Sequence, residues 1–143
     1  MRGRVVNRRI LGALGFAGAV AFAALLPSDG HAVPRAIAVL QGLDKVTARV
    51  STFEAPVGQT VRFGALNIRV RHCDRTPPQE APESAAFLEI DEVKPGEEPV
   101  PVFTGWMFAS SPGLNALEHP VYDVWVLECR GPELESGESP PAQ

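Results

Sequence analysis

From Leu66 to Arg71 the chain changes character at every residue: Leu66, Ile68 and Val70 are apolar, while Asn67, Arg69 and Arg71 are polar. A period of two is the pattern of a strand with one buried and one wet face, and a helix would scatter it around its axis. The same rule predicts a strand over Val46–Phe53, with Val46, Ala48 and Val50 inward against Thr47, Arg49 and Ser51. Asp123–Cys129 is more apolar, as expected of a strand that pairs centrally or is covered on both faces. Weaker strand patterns lie at Ala36–Leu43, Thr60–Phe63, Ala86–Val93 and Val100–Ala109. The expectation is an all-β fold, a small antiparallel β-sandwich or barrel of about seven strands. One short helical turn is expected near Ser111–Leu117, with Ser111 as cap and Pro112 in first position.

Turn chemistry fits that reading, because 13 Gly and 14 Pro in 143 residues leave little room for long helices. Ala55-Pro-Val-Gly58 separates two strand patterns. Gly64-Ala65, with Gly first in a two-residue loop, suits a type II′ hairpin. Pro95-Gly96 has the type II pattern. Asp74–Ser84, with three prolines, reads as an extended surface loop. Gly131–Gln143 reads as a disordered acidic, proline-rich tail. The β-rich domain is thus expected over residues 33–130.

The first 32 residues have a different composition. Arg2, Arg4, Arg8 and Arg9 precede an uncharged run from Ile10 to Leu26, and Gly30-His31-Ala32 follows a polar break. This is the pattern of a signal peptide cleaved before Val33. The location implied is periplasmic, reached by the general secretory route. The alternative is an inner-membrane anchor formed by residues 10–26, since 17 uncharged residues can just span a bilayer; an uncleaved leader would be the sole membrane contact expected.

Charge argues against one class of partner. The chain carries 13 Lys+Arg and 17 Asp+Glu; residues 1–32 hold four of the former and one of the latter, so the remainder stands at about −7. No basic cluster survives, so nucleic acid is not an expected partner. Two cysteines, Cys73 and Cys129, both lie beyond the leader, and an even pair in an oxidising compartment reads as a disulfide. One detail resists strict alternation. Counting by two puts Cys73 with Arg69 and Arg71, and Cys129 with Trp125 and Leu127. Either a bulge turns Cys73 inward, or the strand ends at His72.

Several blocks carry a family likeness: L-D-K-V-T at 43–47, P-V-G-Q-T-V-R-F-G at 56–64, I-R-V-R-H-C ending at Cys73, A-A-F-L-E-I at 85–90, and the 25-residue block from Gly105 to Cys129. Over Val39–Arg130 the chain resembles a family of small exported alphaproteobacterial proteins, catalogued as domain of unknown function 2155. The resemblance implies an exported envelope protein with a β-rich domain, and it transfers no catalytic residue.

The residues themselves supply little chemistry. Ser110, Ser111, His119 and Asp123 are the types a nucleophile, base and orienting acid would need. They support an alternative reading as a small envelope hydrolase acting on peptidoglycan or peptide. No G-x-S-x-G elbow accompanies them, and Ser110-Ser-Pro-Gly113 reads as a turn. No spacing suggests a metal site or a cofactor. What stands out is aromatic clustering: Phe103, Trp106, Phe108, Tyr122 and Trp125 fall within 23 residues. Val102, Thr104, Trp106 and Phe108 would share one strand face, and Phe103, Gly105, Met107 and Ala109 the other. A strand with large apolar residues on both faces is either buried twice or presents one face to a partner. The leading expectation is a non-catalytic binding or structural module of the cell envelope. Trp106, Phe108, Ser111, Leu114 and Tyr122 are its candidate contacts for an envelope protein or a glycan. Intact-mass measurement of the exported protein should show a chain beginning at Val33; a mature chain that retains Ile10–Leu26 would overturn the cleavage reading.

Overall fold

The computed structural model describes residues 31–134; residues 1–30 of the expected leader and the chain from 135 onward lie outside the described residues. Seven strands follow in order: β1 Val33–Asp44, β2 Arg49–Pro56, β3 Thr60–Phe63, β4 Leu66–Arg75, β5 Ser84–Glu92, β6 Val100–Phe108 and β7 Tyr122–Glu133. All pairings are antiparallel, and the strands form one sheet. The expected all-β class, the antiparallel pairing and the strand number therefore hold. The main path runs β2-β1-β4-β5-β6, with β3 beside β4 and β7 beside β1.

β1 links the two arms. Val33 and Pro34 pair with Arg75 and Asp74 of β4, and the rest of β1 runs between β2 and β7. The arms contribute to one core: Ala38 and Leu40 of β1, Leu66, Ile68 and Val70 of β4, Ala86, Leu88 and Ile90 of β5, and Val124 and Val126 of β7. Each fully buried Leu or Ile side chain here is worth about 1.5–3 kcal/mol relative to exposure. From β6, Met107 is buried and Phe103 packs against the same core.

The hairpins match their turn chemistry. Phe63 pairs directly with Leu66 across Gly64-Ala65, and Gly64 has φ +56° while Ala65 does not enter the positive region, as a type II′ turn requires. Lys94 O accepts from Glu97 N at 3.1 Å around Pro95-Gly96, and Gly96 has φ +78°. Gln59 N donates to Pro56 O, closing the turn between β2 and β3.

Three local expectations are corrected. β2 begins at Arg49, because Asp44 Oδ1 accepts from the N–H groups of Val46 and Thr47 and folds 45–48 into a hairpin turn. Val46 is then 76% exposed, Val50 is exposed, and Ala48 adopts φ +56°, so the inward set Val46, Ala48, Val50 does not exist. Second, no helix occurs among the described residues, and Ser111–Leu117 forms turns instead. Leu114 N bonds Ser111 O and Ser111 N bonds Phe108 O, so no helical ladder develops. Third, β7 continues through Gly131, Pro132 and Glu133, three residues past the expected domain end, and Leu134 N bonds Pro34 O.

The phase of the cysteines is resolved by bulges. Val70 pairs with Leu88 but His72 with Phe87, leaving Arg71 as an extra residue in β4. In β7, Glu128 pairs with Val39 but Val126 with Leu40, leaving Leu127 extra. Each bulge reverses the alternation. Cys73 and Cys129 become 1% and 0% exposed, and they form a disulfide with Cα atoms 5.5 Å apart. The bond joins β4 to β7, strands that are not hydrogen-bonded neighbours. It closes a loop of sequence separation 56, which constrains the unfolded chain by about 4 kcal/mol. Reduction, or Cys73→Ala with Cys129→Ala, should lower unfolding free energy by roughly that amount in denaturant titration; a loss below about 1 kcal/mol would show that the cross-link is not a major support of the fold.

Candidate functional site

The outer face of β4, β5 and β6, opposite the core, carries a row of rings. Register aligns His72, Phe87 and Trp106 across three strands. The His72 and Trp106 rings lie 6.0 Å apart and nearly parallel, and Phe87 meets Trp106 edge-on at 5.6 Å. Trp106 is 36% exposed, while its neighbour Met107 points into the core. Together with Arg71, these three residues line a shallow groove of ≈ 360 Å³.

The bulge in β4 builds one wall of that groove. Between buried Val70 and buried Cys73, both Arg71 and His72 face solvent. Arg71 Nε bonds Glu89 Oε2 at 2.8 Å on the adjacent strand. Arg69 Nε donates to Thr60 Oγ1, and Arg69 pairs across with Glu89. Two residues beyond His72 stands Asp74, whose carboxyl is raised above its ordinary range by burial, opposed by the nearby His72.

The free edge beside Trp106 is partly covered by the chain itself. β6 ends the strand order, and edge strands invite pairing unless blocked. Trp106 O accepts from Asn115 Nδ2 at 2.9 Å, Phe108 O accepts from Ser111 N at 3.2 Å, and Pro101 offers no N–H. Gly105 makes room for that loop: a Cβ there would stand 2.8 Å from Asn115 Nδ2.

The expected contact residues separate. Trp106 and half-buried Phe108 lie on β6, while exposed Ser111 and Leu114, the latter 73% accessible, sit on the loop that covers its edge. Tyr122 is elsewhere: its ring packs on Phe63 and His119, and its hydroxyl accepts from Ala65 N. It secures the β3–β4 hairpin and is no part of the Trp106 groove. Arg71, His72 and Phe87 are not among the contact residues expected from the sequence. Insisting that Cys73 face the core would have shown that Arg71 or His72 is an extra, outward residue.

The serine, histidine and aspartate are not assembled as a triad. His119 is buried; its Nδ1 accepts from the N–H groups of Val121 and Tyr122, and its Nε2 lies 3.1 Å from Glu92 Oε1. Asp123 pairs with Lys45 at 2.8 Å, and Lys45 Nζ also donates to His119 O. Ser110 gives both its hydroxyl and its N–H to Glu83, which also accepts from Ser84 N. Burial alone would raise the Glu83 carboxyl, but these donors outweigh it and hold it below its ordinary range. Among the described residues no group of three His, Cys, Asp or Glu side chains could hold a metal ion.

Residues 38–129 match the model of a bacterial family described as "Uncharacterized protein conserved in bacteria (DUF2155)". The chain is also similar to "Uncharacterized protein RP359" of Rickettsia prowazekii (strain Madrid E), 30% identical over 87 residues. That match covers 61% of this chain and 56% of the relative, so the chain spans little more than half the relative's length. No solved structure matches.

His119 is thus a structural acceptor at the entry to β7. Replacing it with Ala would leave two backbone donors unpaired, at a cost of about 1–3 kcal/mol. Thermal melting of His119→Ala should show that loss, and an unchanged melting temperature would free His119 for another role.

Proposed function

We propose that this chain, which belongs to the DUF2155 family, is a non-catalytic binding module of the cell envelope that works through the outer face of β4, β5 and β6. Export is part of the reading and rests on the leader signals of residues 1–32. The observation that carries the binding role is the placement of Trp106. A large ring lies on the side of the sheet away from the core, flanked by His72 and Phe87 in an open groove, and is 36% exposed. It is well placed to be buried against a partner, where a single indole can be worth about 2 kcal/mol or more. The hydrolase reading loses its support at the same time, because Ser110, His119 and Asp123 each spend their hydrogen bonds on the fold.

The test is Trp106→Ala in the exported protein. Its melting temperature should stay close to that of the parent, since the ring lies outside the core. Crosslinked capture of the envelope component should fall sharply. A collapsed melting temperature, as expected for removal of a core Trp at about 3–5 kcal/mol, would overturn the docking role of this residue.

A further inference from the structure

We infer that the free edge of β3 takes an extended acidic segment of a partner protein, which adds to the sheet as a strand and sets its carboxylates on Arg62 and Arg69. The site is separate from the Trp106 face.

The backbone supplies the first observation. β3, Thr60–Phe63, pairs with β4 alone. Phe63 and Leu66 close a two-residue hairpin, so they exchange hydrogen bonds, and Val61 and Ile68 do the same one step along. The N–H and C=O groups of Thr60 and Arg62 therefore point away from β4. Among the described residues nothing bonds them. A row of alternating donors and acceptors is matched by another peptide backbone. A sugar chain or a lipid headgroup has no such repeat.

The side chains supply the second. Thr60 and Arg62 are exposed, while Val61 and Phe63 pack against the core, so residues 60 and 62 share the outer face. Arg69 stands opposite Thr60 on β4, and its Nε donates to Thr60 Oγ1 at 3.1 Å, which draws its guanidinium over β3 toward the free edge. Arg62 Nε donates to Gly64 O at 3.1 Å. Each guanidinium is thus anchored through Nε, and among the described residues neither has an acceptor at Nη1 or Nη2. Anchored forks with free Nη pairs match carboxylates in geometry and charge. The acids of the neighbouring strand are engaged elsewhere. Glu89, opposite Arg69 on β5, bonds Arg71, and Asp91 stands opposite Asn67 on the far side of β4.

Spacing ties the two observations together. Side chains on one face of a strand recur every second residue, about 7 Å apart. An incoming strand would set one side chain opposite Thr60, next to the Arg69 guanidinium, and the next on that face opposite Arg62. The segment that fits has Glu or Asp at alternate positions, whereas a basic one would meet two like charges. The other edges lack this combination. On β6 the carbonyls of Trp106 and Phe108 are taken. β2 presents Val50, Thr52 and Glu54 along its outer row, with no guanidinium among them.

NMR of the amide signals of the oxidised full chain, titrated with the capped peptide Thr-Val-Glu-Val-Glu-Val-Thr, tests the inference. The amides of Thr60 and Arg62 should shift and exchange with solvent more slowly as new strand bonds form. Arg62→Ala and Arg69→Ala, both at exposed positions, should each weaken binding by about threefold or more, and Trp106→Ala should leave it unchanged. The same peptide with Lys in place of both Glu should bind about tenfold more weakly. A peptide N-methylated at both Glu keeps its charge but loses the donors that face β3, and it should not bind. Absence of binding by the Glu peptide, equal binding by the Lys or N-methylated peptide, or shifts confined to residues 50–54 of β2 or 104–108 of β6 would overturn the assignment. Loss of binding in Trp106→Ala would overturn it too, by placing the peptide on the other site. If the Glu peptide fails while envelope capture still depends on Trp106, the β3 site falls and the Trp106 reading stands.

Discussion

The disulfide between Cys73 and Cys129 imposes the geometry on which the rest of the domain depends. Both sulfurs must enter the same buried space, yet regular alternation would leave each cysteine on the face opposite the buried residues of its own strand. Arg71 and Leu127 are the residues that break the count. A bulge leaves an unpaired residue and a locally disrupted ladder, and here two are tolerated because they seat a covalent link between the arms of the sheet. The link ties β4 to β7 where no backbone ladder does so.

The same irregularity shapes the outer surface. Once Cys73 turns inward, Arg71 and His72 stand side by side on the solvent face, and His72 comes level with Phe87 and Trp106. Core and candidate site are therefore two faces of the same three strands, related by one bulge. The loop after β6 completes the arrangement. It returns along the edge of that strand, and Asn115 and Ser111 occupy carbonyls that would otherwise invite a foreign strand. The resulting surface presents side chains beside an edge whose carbonyls at Trp106 and Phe108 are already taken.

The groups that looked most chemical in the sequence serve folding. His119 accepts two backbone N–H groups at the start of β7, Asp123 joins Lys45, and Glu83 gathers donors from Ser84 and Ser110. These contacts pin the ends of strands whose interiors are held by apolar packing. They also explain why a small domain with long connections after β4 and β6 keeps those connections in place.

The strands, the II′ and II hairpin turns at Gly64 and Pro95-Gly96, and the pairing of the two cysteines were determined by the sequence alone. Each depends on local φ/ψ preference, on a period of two, or on there being one possible partner. Trp106 and Met107 were also assignable to opposite faces, by the same alternation. The tertiary structure decided which face was core, because that depends on what covers it. It decided the hairpin at 45–48 as well, where Asp44 captures two N–H groups and turns Val46 out against its apolar character. Above all it decided the bulges at Arg71 and Leu127. A bulge is a mismatch between two strands, so no single segment records it, and the row of His72, Phe87 and Trp106 exists only once cross-strand register has been set.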